Sequence, residues 1–181
     1  MDQIKRMSLE DQIALCSGAD NWHTKAIPDA GVPILCMSDG PHGLRKMPDG
    51  VNEMNINNSL PATCFPTAVL SACSWDPKLL EEVGRAIGEE AASCGVGVLL
   101  GPGANIKRNP LCGRNFEYFS EDPVLTGKLA AAMIRGVEST GVGACLKHFA
   151  CNSQEYTFTA MWLFRKKKRT LSGCKAIAPN Y

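Results

Sequence analysis

The apolar positions of this chain follow two rhythms. Leu79, Leu80, Val83, Ile87 and Ala91 recur at helical spacing, behind Asp76-Pro77 and ahead of Gly95. An Asp that caps, with a Pro at the first helical position, predicts a helix from Pro77 that Gly95 ends. Leu125, Leu129, Met133, Ile134 and Val137 repeat the pattern behind Pro123, and Gly141 closes it. A third helix is predicted from Met7 to Gly18, with Ser8 as N-cap and Glu10 and Asp11 complementing the positive end of the helix dipole. The other rhythm is a set of short, nearly continuous apolar runs: Val32 to Met37, Thr67 to Trp75, Val96 to Leu100 and Val142 to Leu146. Their length and the turn residues that bound them predict buried strands. Val51 to Pro61 is polar, rich in Asn and loop-like.

Strands alternating with helices describe an α/β fold. The polar residues cluster just beyond the C-terminal ends of the apolar runs: Asp39 after the first, Asn105 to Arg114 after the third, Lys147 and His148 at the fourth. In parallel α/β folds that edge is where ligands and chemistry collect.

Composition adds a boundary. The 181 residues contain 45% hydrophobic residues, the proportion of an ordinary globular domain. No apolar run approaches the roughly 20 residues needed to span a bilayer. MDQIKRMSLEDQ has no apolar core of the kind a secretory signal needs, so a cytoplasmic protein is expected. The formal net charge of +1 hides an asymmetry. Residues 156–181 carry six basic residues and no acidic one, which leaves 13 basic and 18 acidic residues in the first 155. RKKKR (Arg165 to Arg169) reads as a solvated charge run or, alternatively, as a nucleic-acid patch. The nine cysteines include no C-x-x-C pair, and several sit inside apolar runs, so reduced thiols are expected. Three His residues without ligand spacing make no zinc site, and Gly101-x-Gly103 lacks the third glycine of a dinucleotide fingerprint.

Three segments carry candidate chemistry. SDGPHGLR (Ser38 to Arg45) places a carboxylate, an imidazole and a guanidinium on one strand-end loop. An ionised Asp39 accepts from two hydroxyl donors, which suits a vicinal diol; alternatively Asp39 caps a turn and Arg45 is a surface charge. In GPGANIKRNPLCGRNFEYFSEDP (Gly101 to Pro123), Arg114 offers a rigid donor fork for ligand oxygens, or pairs with Glu117. The aromatics Phe116, Tyr118 and Phe119 argue that this long loop is ordered. KHFACNSQE (Lys147 to Glu155) sets a cation beside an imidazole. Lys147 either donates to a ligand hydroxyl or forms an ion pair with Asp39.

SDGPHGLR, LPATCFPTAVLSACSWD, LLGPGANIKRNPLCGRNFEYFSEDP and KHFACNSQE together, in this order and spacing, resemble the N-terminal domain of glycoside hydrolase family 3, with the nearest likeness to bacterial β-glucosidases. The resemblance runs from about Met7 to Glu155. It implies a (β/α)₈ barrel domain, usually followed by a second α/β sandwich domain. It also implies retaining hydrolysis of a terminal β-D-glucosyl residue. Retention requires two carboxyl groups roughly 5 Å apart, one as nucleophile and one as acid/base. No metal or redox cofactor is implied. Carried over by motif, Asp39, Arg114, Lys147 and His148 bind hydroxyls of the terminal sugar, and Arg45 and Glu117 support them.

The likeness stops at Tyr156-Thr157-Phe158. The S-D-W-type segment with the nucleophilic Asp and the later acid/base Glu have no counterpart, and neither Asp39 nor Glu155 takes those roles. A barrel of this kind runs to about 250 residues. Residues 1–155 are therefore expected to form about the first half of one. Residues 156–181 read as an aberrant basic tail, disordered or frameshifted. The expected partner is a β-glucoside or other small saccharide, with no nucleic acid and no membrane, and with self-association through open sheet edges. A non-catalytic sugar-binding module is the alternative.

Overall fold

The computed structural model of the chain describes residues 2–51, 58–149 and 151–155. The basic tail from 156, with RKKKR and Cys174, lies outside the described residues, as does most of the Asn-rich loop. The elements are α1 (Asp2–Arg6), α2 (Leu9–Ser17), β1 (Met37–Asp39), α3 (Ala68–Ala72), α4 (Pro77–Ser93), β2 (Val98–Leu100), α5 (Pro123–Glu138) and β3 (Gly143–Ala144). Short 3-10 turns occupy Pro28–Ala30 and Asn115–Glu117.

The three strands form a parallel sheet in the order β1-β2-β3, with Met37 opposite Val98 and Val98 opposite Gly143. Parallel neighbours need crossovers; α4 supplies the one from β1 to β2, and α5 the one from β2 to β3. Both predicted N-caps, Ser8 and Asp76, are in place, and Asp122 caps α5 in the same way. The Asp76 carboxylate accepts from the N–H groups of Lys78 and Leu79, and the Asp122 carboxylate does the same for Val124 and Leu125. Ser8 and Asp11 cap α2 reciprocally, although α2 itself buries no residue.

The core lies where α4 and α5 pack on each other and on the sheet. Leu80, Ile87 and Ala91 of α4 meet Leu129, Met133 and Val137 of α5, with Leu99 of β2 beneath. Two glycines let the helix backbones approach: Gly84 faces the Met133 carbonyl, and Gly136 faces the Glu81 carbonyl.

Two expectations need correction. The first strand is Met37–Asp39 and not Val32 to Met37. The earlier part of that run spends its hydrogen bonds on the segment before it. The Thr24 N–H donates to the Leu35 carbonyl (3.0 Å), the Ile27 N–H to the Val32 carbonyl (2.9 Å) and the Met37 N–H to the Trp22 carbonyl (2.6 Å). Thr67 to Trp75 contains a helix, α3, and no strand among the named elements. Ala68 and Ala72, one turn apart, are buried, while Val69 and Leu70 between them are exposed. That is a helical face, and a run this short does not reveal its period in sequence.

Candidate functional site

The parallel sheet delivers its polar side chains to one edge. Asp39 is the last residue of β1. Its carbonyl accepts from the Arg45 N–H (2.8 Å), which folds SDGPHGLR back on itself. Gly40 sits inside that fold at φ 150°, where a Cβ would meet the Gly43 carbonyl and the Leu44 Cα (2.9 Å), so only glycine fits. Lys147 lies beyond β3, and its backbone is clamped to the chain leaving β2. The Lys147 N–H donates to the Pro102 carbonyl (3.0 Å), and its own carbonyl accepts from the Ala104 N–H (2.7 Å). Arg114 precedes the turn Asn115–Glu117, which turns the Glu117 side chain inward until the residue is 3% exposed.

These groups meet in one charge network. Lys147 Nζ donates to Asp39 Oδ1 at 2.7 Å and lies 3.6 Å from Glu117 Oε2. Arg45 reaches Asp39 Oδ2 at 3.3 Å, and Arg114 Nε donates to Glu117 Oε1. Burial works against the Arg114 charge, but the hydrogen bond and charge of Glu117 outweigh it and hold the guanidinium pKa above its ordinary value. Three cations thus face two carboxylates. Both alternatives left open in sequence hold as geometry: Arg114 pairs with Glu117, and Lys147 pairs with Asp39. A set of fixed acceptors and fixed donors around a partly open edge suits a polyhydroxylated ligand, whose hydroxyls both give and take hydrogen bonds.

His148 stands at the same edge against a residue the sequence did not single out as a site residue. Tyr118 is fully buried, and its hydroxyl lies 2.7 Å from His148 Nδ1, with the rings edge to face. Asn152, also buried, donates from Nδ2 to the Tyr118 oxygen (2.8 Å) and to Glu155 Oε1 (2.9 Å). Asn105 ties the segment down by donating to the Ile106 and Asn152 carbonyls, both at 2.9 Å. A tyrosine inside an aromatic run and an asparagine in a polar loop carry no local signal; only the fold brings them to His148. Burial pushes the Tyr118 pKa up to about 12, so its hydroxyl keeps its proton at neutral pH.

His42 also lies outside the predicted site set. Its Nε2 accepts from the Ala68 N–H at 2.9 Å, at the start of α3, and its carbonyl accepts from the Phe65 N–H. The ring thereby ties the Asp39 loop to α3, and it does so only while neutral. Burial holds both His42 and His148 below the ordinary imidazole value. In the unfolded chain each ring takes up a proton as pH falls through about 6.5, which the fold resists. The stability that depends on neutral rings is therefore complete above that pH and declines below it. The urea midpoint is expected to fall between about pH 7.5 and 5.5, and to fall less in His42→Gln, whose amide oxygen accepts the same hydrogen bond without titrating. Equal slopes in the two proteins would contradict the assignment.

Among the described residues, no group of three or more His, Cys, Asp or Glu could hold a metal ion, and no helix is long and apolar enough to cross a membrane. The eight described cysteines are free thiols.

The chain is similar to known proteins in sequence and in fold. Residues 9–158 match the model of the glycosyl hydrolase family 3 N-terminal domain. Over 153 residues the chain is 62% identical to thermostable β-glucosidase B of Acetivibrio thermocellus, covering 84% of this chain and 20% of that protein. It is 50% identical, with the same coverage, to an exo-α-(1→6)-L-arabinopyranosidase of Bifidobacterium longum. The fold superposes on β-glucosidase 3B of Thermotoga neapolitana, solved with α-D-glucose, with a TM-score of 0.73 and 43% identity over 85% of this chain and 23% of that one. The chain spans about a fifth of the length of the curated relatives it matches.

Proposed function

Because the chain belongs to glycosyl hydrolase family 3 through its N-terminal domain, we propose that its charged sheet edge is the sugar-binding part of a β-glucosidase-type retaining hydrolase. The observation that carries this is the meeting of Asp39, Lys147, Glu117 and Arg114 beyond the C-terminal ends of parallel strands, in a chain 62% identical to a β-glucosidase over 153 residues. Asp39 accepts from adjacent sugar hydroxyls, Lys147 and His148 donate to them, and Arg114 supplies a further donor. Arg45 and Glu117 hold Asp39 and the cations in place. Such contacts strengthen as positive charge develops on the sugar ring, so they contribute to rate as well as to binding.

The two carboxyl groups of the retaining reaction fall to no residue of this chain. Residues 1–155 then act as the opening part of a (β/α)₈ barrel. Two observations support a partial barrel: each outer strand of the described sheet has a strand neighbour on one side only, and Leu146 and Phe149, just beyond β3, are exposed. An open edge of this kind favours pairing with further chain or with a second copy. The chain alone is expected to turn over no aryl β-glucoside; turnover that Asp39→Asn abolishes would contradict this part of the reading.

Binding is the direct test. Titration of the full chain with D-glucose, followed by chemical shifts, is expected to saturate in roughly the millimolar range. Asp39→Asn should weaken it at least about tenfold, the equivalent of one charge-assisted hydrogen bond. Equal binding by the two proteins would rule out the assignment. The Bifidobacterium relative makes L-arabinopyranose the natural competitor in the same titration.

A further inference from the structure

We infer that Tyr118, Asn152 and Glu155 form a directed hydrogen-bond relay that fixes His148 as the neutral tautomer protonated on Nε2. The direction follows from the donor inventory. The ionised Glu155 carboxylate only accepts, so the Asn152 atom 2.9 Å from it is the amide nitrogen. That same nitrogen reaches the Tyr118 oxygen at 2.8 Å and only donates. The Tyr118 oxygen is therefore an acceptor on that side. Its own proton points to the remaining partner, His148 Nδ1, at 2.7 Å. Nδ1 accepts, and in a neutral imidazole the proton then sits on Nε2. Reversing the Asn152 amide sets its oxygen against the Glu155 carboxylate and the Tyr118 link, and reversing the His148 link leaves the proton of the buried Tyr118 hydroxyl with neither of these partners to point to.

Tyr118 and Asn152 are 0% and 7% exposed, so water does not readily substitute for either link. Burial, which lowers the His148 pKa and raises that of Tyr118, favours the neutral forms the relay requires. The outcome is an N–H donor held in one orientation beside Lys147. Donation of that Nε2 proton to a sugar hydroxyl rests on the saccharide reading above; the tautomer does not. Tyr118, Asn152 and Glu155 are thus positioning residues that act through His148.

The test is a long-range proton–nitrogen correlation spectrum of the full ¹⁵N-labelled chain at about pH 7.5, where a neutral imidazole predominates. The chain has three histidines, so His23→Gln and His42→Gln assign the signals. A His148 ring with a bare Nδ1 and a protonated Nε2 is expected. A ring protonated on Nδ1, or one averaging between tautomers, overturns the relay from the wild-type spectrum alone. Tyr118→Phe adds a signed readout. Losing a donor to the neutral ring should raise the His148 titration midpoint by up to about one pH unit, while the charged neighbours Arg114, Glu117, Lys147 and Glu155 stay in place. A midpoint that falls or does not move also overturns it. D-glucose added to the same samples separates the two readings. An Nε2-protonated ring unaffected by glucose supports the relay and removes the sugar site. A glucose-sensitive ring protonated on Nδ1 does the reverse.

Discussion

Glu117→Ala is expected to lower the stability of the fold by about 3 kcal/mol. Glu117 is 3% exposed, and its two oxygens serve Arg114 on one side and Lys147 on the other. A buried ion pair need not be more stabilising than an apolar pair of the same shape, but removing one partner strands the other. Lys147, with a side chain 15% exposed, would keep only Asp39. Arg114, at 36%, can turn toward water, which places the cost at the low end of the range for broken buried pairs. With a urea m-value near 2 kcal/mol/M, the midpoint should drop by about 1.5 M. Glu117→Gln retains the shape and one hydrogen bond and should lose roughly half as much. A midpoint shift of under about 0.3 M in Glu117→Ala would mean that the network is not a stability element.

Gly136→Val should cost a similar amount, about 3 kcal/mol, for a different reason. A Cβ at Gly136 would overlap the Glu81 carbonyl oxygen and come within 2.7 Å of the Arg85 nitrogen and 3.0 Å of the Glu81 carbonyl carbon. All three are backbone atoms of α4, so no side-chain rotation relieves the overlap. The two helices must separate, and the contacts among Leu80, Ile87, Leu129 and Met133 loosen with them. Thermal unfolding should show a fall in Tm of about 9 °C. Gly127→Val, on the same helix with nothing within 4 Å of its Cβ, is the control and should stay within about 0.5 kcal/mol of the parent. Similar losses in both variants would point to helix propensity instead of the crossing.

The helices were legible because their signals are local. Asp76-Pro77 and Asp122-Pro123 mark starts whose capping bonds join residues two and three apart, and the apolar spacing behind each already names the buried face. Val32 to Leu35 differs from a strand because its backbone hydrogen bonds go to Thr24 and Ile27, and only from the Cys36 carbonyl onward does the chain bond to the segment entering β2; nothing in the run itself records that. Thr67 to Trp75 was misread because two buried alanines one turn apart look like any other apolar pair. Of the site, Asp39, Arg114, Lys147 and His148 stood out as polar residues at strand ends, and Arg45 and Glu117 as their supports. Tyr118 and Asn152 did not, since each acts through a partner 30 to 34 residues away, and the imidazole of SDGPHGLR, His42, gave no sign of its tie to Ala68.

The sequence by itself determined the family, the α/β alternation, the helix starts and the set of charged groups that gather at the sheet edge. Capping chemistry, periodicity and motif order are all written in neighbouring residues. Tertiary structure decided which of those charges pair, that Glu117 is buried between two cations, that α4 and α5 cross at glycines, and in which direction the hydrogen bonds around His148 run. Those properties depend on distances between segments remote in the chain. Burial and low local dielectric then make the same carboxylate, phenol or imidazole behave differently from its free form.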